Sequence, residues 1–187
     1  MTQNVSSYTD VTTISPFVLT LLTTPGSAAW RIENRELPAA IQVDETAHRE
    51  VVRRFGAGVQ VYDCNPDTGT FRFREPQADL YDLKTLTQRG IHFLGPEPRT
   101  AQWADADGSR VVARVVAAVD TLPPADPTKD VQWLKVEAFQ NFGTGVFSDV
   151  TFIQRVLTHG GQPPPSCRNH TTASLLYTAL YIFWARQ

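Results

Sequence analysis

Histidine, cysteine and methionine are scarce in this chain, at four, two and one residues, and each scarcity removes a class of chemistry. The histidines, His48, His92, His159 and His170, never fall into HxH or HExxH spacing, and a bound metal needs three or four convergent donors. No metal site is expected. Cys64 and Cys167 stand too far apart for a CxxC metal or redox site. One bridge between them is possible, but two thiols do not build a disulfide framework, and burial as free thiols is the expectation. Charge of a single sign is also missing. Seventeen Lys and Arg are interspersed with 19 Asp and Glu for a net charge of −2, which leaves no basic stripe to neutralise phosphates and excludes nucleic acid as an expected partner.

Long apolar runs are absent too. Phe17-Val18-Leu19-Thr20-Leu21-Leu22 falls far short of the roughly 20 residues of a membrane span. It follows a polar stretch with no basic leader, which argues against a secretory signal and leaves a cytoplasmic location as the expectation. Nucleotide and nucleophile motifs fail as well. Gly56-Ala57-Gly58 lacks the third glycine of a dinucleotide fingerprint and runs into a strand. His159-Gly160-Gly161 has no GxSxG elbow to serve and reads as a tight turn. Asp105-Ala106-Asp107-Gly108 opens like a calcium loop without the later acidic ligands. No cofactor is expected.

What the sequence does contain is β pattern cut by Gly and Pro. With 42% hydrophobic residues, a chain of this length buries about two-thirds of its unfolded surface in one core, so residues 1–187 are read as a single domain with residues 1–15 as a loose arm. Phe17 to Leu22 suggests a short strand and Glu33 to Ala47 mostly loop. Val51 to Phe55 and Val59 to Cys64 read as strands joined by a bend at Gly56-Ala57-Gly58; Asn65 to Gly69 is a turn, and Thr70 to Arg74 alternates to put Phe71 and Phe73 on one inward face. After Pro76 a connector is expected, with Leu80, Leu83 and Leu86 hinting at a helical turn. From Gly90 the β pattern returns, with a type I′ hairpin at Asp107-Gly108. Val111 to Val119, Val131 to Phe139 and Val150 to Thr158 continue as strands, and Ala173 to Trp184 is favoured as a strand over a helix. Many short strands with hard turns predict an all-β barrel or sandwich of antiparallel strands with little helix.

Several side chains stand out against this frame. Tyr62, Phe71, Phe73, Trp103 and Trp133 lie in strands; such aromatics fill cores by default, or wall an apolar cavity in which a few polar groups orient a guest. In Thr151-Phe152-Ile153-Gln154-Arg155-Val156 only one of Gln154 and Arg155 can face inward, and Gln154 is expected to do so. His92, between Ile91 and Phe93, reads as a pocket-wall residue more than a base.

The pattern Tyr62-x-Cys64, Pro76-x-Ala78-x-Leu80, Gly90-x-His92-Phe93-x-Gly95-Pro96, Trp103, Asp107-Gly108-Ser109, Trp133-Leu134, Gln154-Arg155-Val156-x-Thr158-x-Gly160-Gly161, Cys167 and Tyr177-x-Ala179-x-Tyr181-x-Phe183 resembles domain-of-unknown-function family 3455 over residues 50–187. Labels carried by members of that family, superoxide dismutase and malate dehydrogenase, conflict with the missing HxH ligands and dinucleotide fingerprint. Phe71 stands where the family pattern has Trp, and the family's secretion leader is missing. A version without a leader is similar to the small cofactor-free cyclases of streptoseomycin and nargenicin-type macrolide pathways. That resemblance implies transannular [6+4] or [4+2] cycloaddition of a polyketide polyene. On this expectation Phe71, Phe73, Trp103 and Trp133 shape the cavity, while Tyr62, His92 or Gln154 donates a hydrogen bond to a conjugated carbonyl. The alternative is a non-catalytic barrel that binds an apolar small molecule. Contacts of the N-terminal arm or a barrel edge would support a homo-oligomer.

Overall fold

A computed structural model describes residues 30–95, 100–122, 125–168 and 171–187; the arm at 1–15 and the Phe17–Leu22 segment lie outside them. Contacts divide the chain at residue 31/32, and the account below concerns the unit Ile32–Gln187. Eight strands run β1 (His48–Asn65), β2 (Thr70–Asp82), β3 (Gln88–Leu94), β4 (Ala101–Asp105), β5 (Arg110–Val119), β6 (Trp133–Phe142), β7 (Val150–Gly160) and β8 (Thr172–Arg186). Each pairs antiparallel with the next, and β8 closes on β1. The fold is therefore a closed up-and-down barrel, which removes the sheet edges. The segment Ala173–Trp184 is strand, the favoured of its two readings: Tyr177, Tyr181 and Phe183 face the interior and Leu180 and Ile182 the outside.

Three local expectations are corrected. Gly56–Gly58 is no bend; β1 pairs through it with both β2 and β8. A Cβ at Gly56 would lie 2.5 Å from the Tyr181 ring and one at Gly58 2.0 Å from the Gln77 carbonyl, so these glycines admit close neighbours. The stretch after Pro76 is not a connector but the second half of β2. Pro76 pairs with Gln60 one position beyond the β3 ladder, whose last pair is Gln77 with Phe93. Its missing N–H therefore costs no bond on that side. The Asp107-Gly108 turn is a hairpin but not type I′. Only Gly108 has positive φ (91°), with Gly108 N bonded to Asp105 O and Asp105 N to Ser109 O. This is a type I turn closed by a left-handed glycine, the three-residue form of hairpin.

The interior is an aromatic column. Phe147 stacks on Phe183 (4.4 Å), Phe183 meets Trp103 edge-on (6.5 Å), and Trp103 stacks on His92 (4.2 Å, 8° between planes) with Tyr181 edge-on to both. The lower end, bearing the β4–β5 and β6–β7 turns, is closed by Phe147 and by a buried ion pair between Arg54 and Asp105 (2.9 Å). Asp107 fastens the two turns by accepting hydrogen bonds from Ser109 N, Ser109 Oγ and Val146 N. Outside the barrel, the segment Ile32–Val43 forms two short 3-10 turns, Asn34–Glu36 and Ala39–Ile41, and buries Asn34, Leu37, Ile41 and Val43.

At the upper end a disulfide joins Cys64 to Cys167 across 103 residues of sequence, which corrects the expectation of two free thiols. Cys167 N also donates to Gly69 O (2.8 Å), so the β7–β8 loop is clamped to the β1–β2 turn. Sequence spacing held no sign of this pairing, because barrel closure is what brings β1 beside β8.

Candidate functional site

Strand alternation decides which side chains reach the interior. On β1 the inward series includes Arg54, Gly56, Gly58, Gln60 and Tyr62, each paired with an inward residue of β8 or β2. On β7, Ile153 belongs to the core and Arg155 pairs with Tyr181 on one side and Leu134 on the other. Arg155 therefore faces inward. Gln154 points the opposite way, contrary to expectation. It is fully buried beneath the Ile32–Val43 segment, donating to Asn34 Oδ1 (2.8 Å) and Ile41 O (2.7 Å) and accepting from Trp184 Nε1 (2.8 Å). A glutamine with every polar atom engaged under a strap holds that strap in place; it does not meet a guest in the barrel. Trp133 is likewise an outer-face residue, since its neighbour Leu134 takes the inward position.

Of the remaining expected residues, Tyr62, His92 and Trp103 are buried in the barrel interior, while Phe71 is half-buried and Phe73 exposed. His92 and Trp103 form the flat stack at mid-barrel, and Tyr62 stands above with Phe73 and Phe71 edge-on at 5.7 and 6.5 Å. Phe73 is 46% exposed and lies at the upper rim. Neither expected donor, however, is free to donate. The Tyr62 hydroxyl is bonded to the Gly161 carbonyl (2.8 Å), and burial pushes its pKa up against the opposing charge of Arg155. His92 Nδ1 sits 2.9 Å from the Gln102 carbonyl, an acceptor, so Nδ1 must carry the proton. Burial lowers the pKa of His92 to about 3, helped by Arg155. The ring is then neutral near pH 7, and its Nε2, which takes no hydrogen bond among the described residues, is an acceptor.

The donors of this interior are other residues. Gln60 Nε2 and Trp103 Nε1 are buried with no acceptor at hydrogen-bond geometry among the described residues, although Gln60 stands close enough to the Tyr177 hydroxyl to lower its pKa. Tyr177 and Tyr181 share a hydroxyl–hydroxyl contact of 3.1 Å. Burial raises both their pKa values, Tyr177 well above its ordinary range, while Arg155 pulls the other way. Arg155 thus faces a neutral polar cluster with apolar neighbours, Leu134 and Val131 among them. The signal for Gln60 was present in the sequence, two positions before Tyr62 in an alternating strand; the signal for Arg155 was its parity with Ile153.

Above the cluster passes a strap. Gly160 and Gly161 both have positive φ (75° and 88°), and Asp130 pairs with Gly161. A Cβ on Gly161 would lie 2.9 Å from Tyr177 Cβ, 3.0 Å from Val131 Cγ1 and 3.1 Å from Gln60 Cγ. The backbone here rests directly on the site, and Tyr62 latches it. An open groove of about 490 Å³ lies elsewhere, at the lower rim, lined by Arg49, Phe139, Asn141, Ser148, Asp149 and Arg186. None of the expected site residues borders it. The described residues contain no group of His, Cys, Asp and Glu placed to hold a metal ion, and no helix long and apolar enough to cross a membrane.

No curated protein and no solved structure matches this sequence. A family pattern matches residues 45–185, nearly the whole span from β1 to β8, including the Tyr62, His92, Trp103 and Arg155 positions of the barrel interior. By that match the chain belongs to the family described as Protein of unknown function (DUF3455).

Proposed function

We propose that this barrel binds a small molecule with a largely apolar body and an oxygen acceptor at one end. The observation that carries the reading is the pair of buried donors without acceptors, Gln60 Nε2 and Trp103 Nε1. A buried donor left unsatisfied costs about 1–3 kcal/mol, and a guest oxygen accepting from either group relieves it. Apolar walls with a few placed polar groups are the usual lining of small-molecule sites. The Cys64–Cys167 bridge supports action in an oxidising compartment, where such bonds persist, in place of the cytoplasm.

The catalytic form of this reading is the cofactor-independent cycloaddition implied by the sequence resemblance. Gln60 and Trp103 take over the donor role expected of Tyr62, His92 and Gln154, polarising a conjugated carbonyl where electron density grows in the transition state. Binding ranks first because the space beside Trp103 is occupied by His92, Tyr181 and Phe183, so a macrocycle requires the Gly160–Gly161 strap to lift.

The Trp103 indole N–H gives a direct readout. Titration with β-ionone, a conjugated apolar ketone, and with a polyene macrolactone is expected to raise Tm and shift that N–H resonance. Trp103→Phe, which keeps a ring but removes the donor, is expected to blunt the response. No change with either probe overturns the reading. Conversion of the macrolactone to a product of unchanged mass establishes the catalytic form, and recovery of intact macrolactone restricts the function to binding.

A further inference from the structure

Resting on that binding reading, we propose that the guest is an acid, a carboxylate on an apolar body received by the Arg155 guanidinium. Arg155 is half-buried, points into the barrel opposite Tyr181 and Leu134, and has no carboxylate within ion-pair distance among the described residues. Its Nε and Nη2 share one acceptor, the Gln132 carbonyl, at 3.2 and 2.9 Å. The Tyr181 hydroxyl also lies close enough for Arg155 to donate toward it, which lowers the phenol's pKa against the effect of burial, but it brings no charge. Asp130 on the adjoining segment is already engaged, with Oδ1 on Gly160 N (2.6 Å) and Oδ2 on Asp126 N (2.8 Å).

The contrast with Arg54 is instructive. That guanidinium, buried at the lower end, has Asp105 at 2.9 Å. Where an interior arginine is structural, this fold supplies the counter-charge; at Arg155 it does not. A cation partly withdrawn from water is costly unless paired and hydrogen-bonded, and the interior groups that feel the Arg155 charge, Tyr62, His92, Tyr177 and Tyr181, are neutral and bring no counter-charge. A carboxylate brings one negative charge and about four lone-pair sites, enough to answer the Arg155 charge and to accept from further donors as well. An alcohol or ketone satisfies part of the set and leaves the charge unanswered. A doubly charged phosphate would meet one cation with apolar residues such as Leu134 and Val131 close by, and it is the poorer match.

Calorimetric titration of the full chain at neutral pH with dodecanoate and with dodecanol tests the proposal. The acid is expected to bind more tightly than the alcohol by roughly tenfold to a hundredfold, the range of a charge-assisted hydrogen-bonded contact. Arg155→Gln is expected to bring the acid down to the alcohol's affinity while leaving the alcohol unchanged, and Arg155→Lys to keep part of the preference. Equal affinities in the wild-type protein, or a preference that survives Arg155→Gln, overturn the proposal while the binding reading stands. Failure of both ligands to bind overturns the two together. Should Arg155→Gln fail to fold by circular dichroism, the wild-type comparison and Arg155→Lys still decide.

Discussion

His92 lies flat against Trp103 with one nitrogen bonded to a backbone carbonyl, and charging it there means placing a cation in the barrel interior beside Arg155. The unfolded chain accepts a proton at this residue near pH 6.5, whereas the folded protein refuses it until about pH 3. Above pH 6.5 both states are neutral and His92 contributes no pH dependence. Between those values the unfolded state binds the extra proton, so stability falls as pH falls, with a slope approaching roughly 1.4 kcal/mol per pH unit. His92→Phe, which keeps an aromatic ring, is expected to flatten that limb when urea unfolding is followed from pH 7 to pH 4. An unchanged slope would show that His92 is not the group responsible. Residue identity in the sequence marked His92, Trp103 and Tyr62 as interior, and that was correct. Their hydrogen-bonding roles depended on partners contributed by distant segments, Gln102 and Gly161. The choice between Gln154 and Arg155 rested on which face of β7 met the Ile32–Val43 segment, a contact more than a hundred residues away in sequence.

Among the elements, the lower closure and the upper strap divide the labour. At the bottom, the Asp105 carboxylate is fully buried and answers Arg54, while Asp82 is a more distant companion at 4.0 Å. Removing the negative charge leaves the buried guanidinium with only the distant, part-exposed Asp82 carboxylate, so Asp105→Asn is expected to cost about 3–5 kcal/mol. The double variant Arg54→Met/Asp105→Leu, which removes both charges, is expected to lose less. Chemical denaturation of the three proteins checks the order, and a double variant weaker than Asp105→Asn would contradict it. At the top, Gly160 and Gly161 adopt φ values that suit glycine and lie against Gln60 and Tyr177. The turn itself was legible in the Gly-Gly pair. Its position over the site was not, because that follows from the bulge at Leu157 (φ 49°) and from pairing with Asp130.

For the barrel unit as a whole, closure depends on β1 pairing with β8 along most of the length of both strands, the contact farthest apart in the chain and the slowest kind to form. The Cys64–Cys167 bridge shortens that search and ties the upper loops together. With a separation of 103 residues, the chain-entropy estimate of its contribution is about 4–5 kcal/mol. Reduction, or the Cys64→Ala/Cys167→Ala variant, is expected to lower Tm markedly. An unchanged Tm on reduction would mean that strand pairing alone sets the stability of the upper end.

The sequence by itself determined the class of fold. Period-two alternation and Gly/Pro punctuation point to short antiparallel strands whatever their neighbours are, and the aromatic residues at alternate positions of the last segment favour a strand there over a helix. It also determined which chemistries are missing from its motifs, since those depend on local spacing. Only the tertiary structure decided the barrel over the sandwich, the disulfide, and the identity of the interior donors. Each of these is a relation between residues on strands far apart in the chain, and a strand's pattern states that it has two faces without stating which of them meets the core.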